Sequence, residues 1–550
     1  MSPNRLWLFA GVMLWASVPA SGKGLEPDPK ARALAAKIDE HIAAGWAAAM
    51  VAPAPLADDA EFLRRVYLDL AGRIPKVSEV RQFLDDRRPD KRQRVVEELL
   101  QSPRYVVHFA NYWRSLLLPE VNANFQVRFA AQQFEPWLRK HLKENSGYDT
   151  IARELLTAPI AGGRGRGAIM AQGGEANPAG FYFAKEFKPE NLAASTARLF
   201  LGVRVECAQC HNHPFADWKR DQFWSFAAFF AGLESRRQGD LTAPAGENLD
   251  KREIAVGGTD RLVKATFLDG KEPQFQPNVS SRVTLADWVT APDNPFFARA
   301  AVNRLWAYFL GAGLIEPVDE MVGAESTPSH PGLLDELARE FAANKFDLKV
   351  LIRAITYSRP YQLTSGVASQ APRRAPGDLE PVANPPDLDS APSSVFARMP
   401  LRGLTPEQLW DSLSEATGYQ EQGANDPYGV VRAGGSSPRD EFLSRFANQT
   451  ERAVDSQTSI LQALALMNGK VIANETSVER SNILAGLLDA PFFDKASRIE
   501  TLYLATLSRK PTAREIERIT RYMNEAKKPD TALADVLWAL LNSSEFILNH

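Results

Sequence analysis

A chain of 550 residues is too long for one hydrophobic core, and its length is typical of about three domains. A hydrophobic fraction of 45% and a charged fraction of 24% are ordinary for a folded globular protein. The formal net charge of −3 provides no general basic field, which argues against a nucleic-acid partner and against attraction to an anionic membrane.

The N-terminus has the pattern of an export signal at residues 1–22. Arg5 precedes an apolar run from Leu6 to Val18, and small residues follow at 20–22. This run is too short for a membrane-spanning helix, and its flanks fit cleavage. No later stretch is apolar for long enough to cross a bilayer. The sequence therefore predicts a mature chain without a transmembrane segment, exported to the periplasm or the extracellular space.

Apolar residues recur at helical spacing along most of the chain, which predicts a mainly α fold with many helices. We expect one helical domain at 28–231 and a second at 284–550. Between them, 232–283 predicts a small β-rich or extended connector. A stretch rich in proline and alanine at 366–394 predicts an insertion without a core of its own.

Short local patterns predict where individual elements begin or turn. In the connector, the run from Leu262 to Leu268 is prone to β structure, and Asp269-Gly270 is typical of a hairpin turn. Further along, Thr405 and Gln408 have the spacing of a capping box, which predicts the start of a helix.

The strongest chemical motif is Cys-Ala-Gln-Cys-His, which contains the only two cysteines of the chain. C-x-x-C-H is the attachment pattern of c-type haem. The thiols of Cys207 and Cys210 can form thioethers with the two vinyl groups of one porphyrin. The imidazole of His211 can then bind the iron as the proximal ligand. The sequence therefore predicts covalently bound haem c at these three residues.

Three further residues are candidates for binding the metal. His213 follows the motif but is too near His211 in sequence to reach the opposite face of a haem easily. His330 and Met399 each stand before a proline, and His330 also suits the first position of a helix. A filled sixth position on the iron would indicate electron transfer, whereas an open one would indicate catalysis or ligand binding.

An aromatic run follows the motif, and its helical spacing predicts a core helix. Some of these rings could also line a haem pocket, which needs apolar walls. The run consists of Phe215, Trp218, Phe223, Trp224, Phe226, Phe229 and Phe230.

Other interpretations of the motif stay open. Cys207 and Cys210 could bind a structural zinc ion with His211 and His213, although paired histidine ligands are usually three to five residues apart. The thiols could instead form a disulfide or a redox dithiol, although no βαβ pattern is visible near them. The chain could also be a hydrolase of an extracellular polymer, but only its predicted export supports that hypothesis. It has neither Gly-x-Ser-x-Gly nor His-Glu-x-x-His.

The chain also resembles two domains of unknown function found in planctomycete-type bacteria, over nearly its whole mature length. One is the cytochrome-associated domain numbered 1549, and the other is the planctomycete-specific domain numbered 1553. The first resemblance rests on Phe62–Pro75, Tyr148–Asp149, Glu154–Ala158, Phe200–Val203, Cys207–Phe215 and Ala227–Phe230. The second rests on Asn294–Arg299, Asn303–Trp306, Pro328–Pro331, Ser358–Leu363 and Leu404–Leu409.

This resemblance implies a link to cytochrome c modules but no assigned activity. The chain has no second C-x-x-C-H, so any covalently attached haem sits at Cys207, Cys210 and His211. A haem role leads us to expect a redox partner protein.

Overall fold

The computed structural model describes most of the chain between residues 26 and 550. The described residues are 26–122, 127, 131–160, 176–213, 217–235, 245–323, 326–366, 392–419, 438–446 and 476–550 without 479 and 492. The predicted export signal at 1–22 and nearly all of the insertion at 366–394 lie outside them, so both stay predictions. Of the helices in the described ranges, none is long and apolar enough to cross a membrane.

Helices make up most of the described structure, which confirms the predicted mainly α fold. The helices before the first strands are α1 Pro29–Ala49, α2 Asp59–Ala71, α3 Val77–Asp85, α4 Lys91–Gln101, α5 Pro103–Leu117, α6 Phe134–Glu144, α7 Tyr148–Leu156, α8 Gly180–Ala184, α9 Pro189–Thr196 and α10 Arg220–Ala227. Those after them are α11 Ser281–Val289, α12 Phe297–Leu310, α13 Pro331–Ala343, α14 Leu348–Tyr357, α15 Arg359–Gln362, α16 Pro406–Thr417, α17 Pro438–Phe446, α18 Asn482–Asp489, α19 Lys495–Leu507, α20 Ala513–Glu525, α21 Pro529–Leu541 and α22 Ser544–Ile547.

Short strands form antiparallel pairs at two places. In the region predicted to be β-rich, β1 Leu233–Ser235 pairs with β2 Ala245–Glu247, and β3 Glu253–Ala255 pairs with β4 Leu262–Lys264. Far apart in sequence, β5 Arg402–Gly403 pairs with β6 Leu548–Asn549. This last pair attaches the C-terminus of the chain to the segment that precedes α16.

The predicted hairpin turn at Asp269-Gly270 is wrong. The chain does turn tightly there, with the Phe267 N–H donating to the Lys271 oxygen at 3.1 Å. However, β4 pairs with β3, which precedes it, so the residues that close the hairpin are 256–261. A turn signal marks where the chain bends, but it does not decide on which side a strand finds its partner.

The predicted capping box at the start of α16 is confirmed. The Gln408 N–H donates to Thr405 Oγ1 at 3.2 Å, and the Thr405 N–H donates to Gln408 Oε1 at 2.9 Å. The amide of Gln408 also donates to the Leu68 carbonyl oxygen at 2.9 Å. The capping box therefore fixes the first turn of α16 against the end of α2.

The described residues form two hydrophobic cores. The larger one gathers buried side chains between Ala31 and Met399 together with Leu504, so it draws on both sides of the predicted connector. The smaller one gathers side chains between Leu404 and Phe546 together with Leu68 and Ile74. The predicted domain boundaries stay a prediction.

Helix α2 contributes to both cores and is buried on every side. Every residue from Phe62 to Ala71 is buried, including Arg64, Arg65 and Asp69, each exposed by 1% or less. A buried charge is costly unless it is paired and hydrogen-bonded. The two terminal nitrogens of Arg64 offset part of this cost by donating to the carbonyl oxygens of Thr506 at 3.0 Å, Glu545 at 3.1 Å and Phe546 at 2.7 Å. Arg64 thus links α2 to the C-terminal core.

We predict that Arg64→Ala lowers the free energy of unfolding by about 3 kcal/mol or more, because three buried carbonyl groups lose their donor. Urea denaturation followed by far-ultraviolet circular dichroism measures the change. Arg87→Ala is the matched control, because Arg87 is exposed, and we expect a change within about 0.5 kcal/mol. Equal effects of the two substitutions would contradict this role of Arg64.

Candidate functional site

The C-x-x-C-H segment lies at the surface, directly before α10. Residues Glu206–Gln209 form one turn of 3₁₀ helix, in which the Ala208 side chain is fully buried. The side chains of Cys207, Cys210 and His211 are all exposed, and both thiols are free. The buried methyl group therefore anchors the turn to the core, while the three predicted haem-binding side chains stay accessible.

The imidazole of His211 has a defined orientation and tautomer. Its Nδ1 lies 2.7 Å from the carbonyl oxygen of Asn212. A carbonyl oxygen can only accept a hydrogen bond, so in neutral His211 the proton sits on Nδ1. Nε2 then carries the free lone pair. A histidine that binds a metal through one nitrogen commonly donates from the other to a carbonyl in this way.

Helix α10 and Trp218 hold the segment on both sides of His211. The Gln209 carbonyl oxygen accepts hydrogen bonds from the Trp224 indole N–H at 3.0 Å and from the Arg220 Nε–H at 3.3 Å. The side-chain oxygen of Asn212 accepts one from the Arg220 backbone N–H at 3.0 Å. His213 is also held, since its backbone N–H donates to the Trp218 oxygen at 2.7 Å. The segment is thus fixed by hydrogen bonds at Gln209, Asn212 and His213.

The aromatic run after the motif belongs to the hydrophobic core, as predicted. Phe223, Phe226, Phe229 and Phe230 are each exposed by 1% or less and pack in the larger core. They are therefore core residues, and their burial leaves them unsuited to wall a haem at the surface. Phe215 lies outside the described residues.

The other candidate ligands lie on other elements. His330 occupies the N-cap position of α13, as its place before Pro331 predicted, but its side chain makes no capping hydrogen bond. Its ring contacts Phe396, with ring centres 5.8 Å apart, and its Nδ1 lies 3.1 Å from the Ser329 hydroxyl oxygen. Met399 is 2% exposed and packs in the larger core. Only His213, which is partly buried, shares the segment with Cys207, Cys210 and His211.

The imidazole of His330 is also confined by α1. A Cβ atom placed on Gly45 would come within 2.3 Å of its Nε2, so this ring fits only against a glycine. Burial lowers the pKa of His330, and the neighbouring His41 lowers it further. The structure thus gives His330 a packing role between α1 and α13.

Among the described residues, no three His, Cys, Asp or Glu side chains are grouped so that they could hold one metal ion. A zinc ion needs its sulfur and nitrogen ligands within about 2.0–2.3 Å of a single point. Covalent haem would make no such demand, because thioether bonds to the thiols and the imidazole of His211 would hold it at separate points. The donor set of two exposed thiols and one oriented imidazole therefore fits haem c.

Comparison with protein families identified two matching domains. PSCyt2, described as a protein of unknown function (DUF1549), matches residues 37–235. PSD1, described as a protein of unknown function (DUF1553), matches residues 281–454 and 436–523. The chain belongs to both families. The two matches have the order that the resemblance predicted, and the C-x-x-C-H segment lies within the PSCyt2 region. No curated protein and no solved structure matches the chain.

A buried polar junction that the sequence analysis missed joins the PSCyt2 region to the PSD1 region. Its centre is Asp69 of α2, which is 1% exposed. The carboxylate accepts from Arg402 at 2.9 and 3.0 Å, from the Tyr361 hydroxyl at 2.8 Å and from the Asn549 amide at 2.7 Å. These bonds connect α2 with β5, α15 and β6. Burial raises the pKa of Tyr361 well above its ordinary value, and Asp69 raises it further.

Next to this carboxylate, His108 and Tyr308 line a small cleft of about 60 Å³. The Tyr308 hydroxyl donates to the Asp69 carbonyl oxygen at 2.9 Å, which uses its one hydrogen. His108 Nε2, at 2.6 Å, must therefore donate to the Tyr308 oxygen. Burial lowers the pKa of His108 to about 4, so the ring is neutral at pH 7. The cleft has room for a few water molecules. The polar groups of His108 and Tyr308 form hydrogen bonds within the junction between the domains.

The sequence did contain a signal for this junction. Arg65 and Asp69 are four residues apart within a helix whose other positions are mostly apolar. Charges inside such a run cannot all face solvent, which indicates buried polar partners. The partners themselves lie more than 200 residues away along the chain, so no local pattern could identify them.

We predict that the chain loses stability as the pH falls from about 6.5 to 4, partly through His108. The lowered pKa means that the unfolded chain takes up this proton first, so protonation favours unfolding by about 3 kcal/mol at pH 4. In His108→Gln, which can still donate to Tyr308, this contribution is absent. Denaturation at several pH values measures both slopes, and identical slopes would contradict the buried neutral state.

We also predict that both thiols of the haem-free, reduced protein react with a thiol reagent without denaturant, because Cys207 and Cys210 are exposed. Colorimetric titration should give two thiols per folded chain. Cys207→Ala and Cys210→Ala serve as matched variants, and each should give one. If the thiols react only after denaturation, the described surface position is wrong.

Proposed function

We propose that this chain is an exported protein that binds haem c covalently and acts in electron transfer or haem redox chemistry. The observation that carries the proposal is the exposure of the motif's side chains and the orientation of its histidine. Two free thiols and His211 are exposed together, and the Nδ1–H bond to the Asn212 carbonyl leaves His211 Nε2 free to bind iron.

The residues have separate tasks in this proposal. The Cys207 and Cys210 thiols would hold the porphyrin through thioether bonds, each formed by addition of S–H across one vinyl group, with the sulfur on one carbon and the hydrogen on the other. This addition needs no oxidant. His211 would supply Nε2 to the iron, while its Nδ1–H is held by the Asn212 carbonyl oxygen. When bound, haem supplies a one-electron iron couple.

The predicted export signal supports the proposal, because haem c is assembled outside the cytoplasm in bacteria. The PSCyt2 and PSD1 descriptions assign no activity, so the family adds no reaction to it. A redox partner protein belongs to the proposal as an expectation. We assign no sixth iron ligand, since His330 packs against Phe396 and Met399 packs in the larger core.

We predict that the chain, expressed with its export signal in cells that attach haem c, carries one haem per chain. A Soret band should survive extraction with acidified acetone, because thioether bonds hold the porphyrin. Cys207→Ala with Cys210→Ala should lose covalent haem entirely. His211→Ala should change the absorption spectrum by removing the proximal ligand.

His213→Ala is the matched control, because this histidine lies two residues from His211 and has no assigned role in attachment. It should keep covalent haem. A purified wild-type chain without haem, but with stoichiometric zinc, would favour the structural-metal interpretation. A colourless chain with an intact disulfide between Cys207 and Cys210 would likewise overturn the proposal.

A further inference from the structure

Two side chains of α10 converge on one carbonyl group, that of Gln209, immediately before Cys210. Trp224 donates its indole N–H to this oxygen at 3.0 Å, and Arg220 donates its Nε–H at 3.3 Å. The indole is 6% exposed, which shields its hydrogen bond from water. A carbonyl oxygen with two donors has both of its lone pairs used, so the peptide plane between Gln209 and Cys210 has a fixed orientation.

The hairpin of β3 and β4 packs behind these two side chains. The Gly257 carbonyl oxygen in its loop accepts a hydrogen bond from the Arg220 guanidinium. A Cβ atom placed on Gly257 would lie 2.5 Å from Trp224 Cζ2. Only glycine therefore allows the hairpin to close against the indole ring. A surface ion pair between Arg261 of the hairpin loop and Asp221 of α10 adds a further connection.

We infer that Trp224, Arg220 and Gly257 form a clamp that positions Cys210 and His211 for haem. The inference rests on the proposed function for its ligand, but the clamp itself is a property of the haem-free chain. Trp224 and Arg220 are positioning residues, since both donate to the Gln209 carbonyl oxygen and the Arg220 backbone N–H also donates to the Asn212 side chain.

The clamp reaches the imidazole through Asn212. The Arg220 backbone N–H holds the Asn212 side chain at 3.0 Å, and the Asn212 carbonyl accepts from His211 Nδ1 at 2.7 Å. Since α10 is set into the core by Phe223 and Phe226, the carbonyl that orients His211 is tied to a rigid element. A ligand held in this way loses little conformational freedom on binding iron.

The first test uses the haem-free protein and measures hydrogen exchange of the His213 backbone N–H, which donates to the Trp218 oxygen. Trp224→Phe keeps an aromatic ring at this position but removes the indole N–H donor. Exchange should become about fivefold faster, since one net hydrogen bond is worth about 1 kcal/mol. Trp224→Phe combined with Arg220→Met should accelerate it further. Unchanged exchange in the double variant would overturn the clamp, whether or not haem is ever attached.

Gly257→Ala tests the same clamp from the hairpin side. The added methyl group must displace the indole ring, so this variant should also exchange faster at His213. Gly258→Ala is not a suitable control because Gly258 has a φ of +72°. Lys219→Ala is suitable, because its side chain is exposed, and it should leave the exchange rate unchanged.

The second test uses the haem-loaded protein and measures the pH at which His211 leaves the iron, followed by the Soret band. Loss of a group that orients a ligand typically lowers metal affinity about tenfold. The acid transition of Trp224→Phe should therefore move up by about one pH unit, while covalent haem stays attached. Arg220→Lys should move it less than Arg220→Met.

The two tests separate failure of the clamp from failure of the proposed function. Faster exchange in a chain that never acquires haem would support the clamp. The absence of haem in that chain would contradict the proposed function. Attached haem with an unmoved acid transition would overturn the positioning of His211 by the clamp.

Discussion

The buried charges of α2 are the constraint on which this structure depends. Arg64, Arg65 and Asp69 lie on a helix with a hydrophobic core on each side, and each is exposed by 1% or less. Each charge must therefore find a partner inside the protein. Arg65 donates to the backbone carbonyl oxygen of Tyr361 at 2.6 Å and to the carboxylate of Glu61 at 2.7 Å. Apart from Glu61 of α2 itself, these partners come from the PSD1 region and the C-terminus, so one helix connects segments that are far apart in sequence.

This arrangement makes the two family domains one structural unit. The C-terminal strand β6 pairs with β5, and Asn549 at its end donates to the Asp69 carboxylate. Removal of one partner from a buried charge typically destabilises a protein by about 3–5 kcal/mol. The junction therefore favours one relative placement of the domains. It also explains why the cleft beside Asp69 is lined by polar groups that already bind one another.

The C-x-x-C-H segment differs from α2 because its reactive side chains are exposed rather than buried. Its chemical groups stay at the surface, and only Ala208 and the backbone hydrogen bonds attach it to the core. The proposed haem would not need a deep pocket for affinity, because thioether bonds would hold it. Such a site would need a fixed presentation of the sulfur atoms and the imidazole. In this chain α10 and the β3–β4 hairpin would provide that presentation.

The sequence alone determined the features that depend on neighbouring residues. Helical periodicity, the capping box at Thr405 and the core character of the aromatic run after Cys210 all follow from local spacing, and all were predicted correctly. The motif at Cys207, Cys210 and His211 was equally visible, because its chemistry needs a fixed spacing along the chain. Only the tertiary structure decided which groups meet across long separations. The pairing of Asp69 with Arg402 spans 333 positions and the packing of His330 against Gly45 spans nearly as many, so no local pattern encodes them. The β3–β4 pairing and the contacts of Gln209 with Arg220 and Trp224 span much shorter separations, and there the packing of the surrounding segments selected the partner.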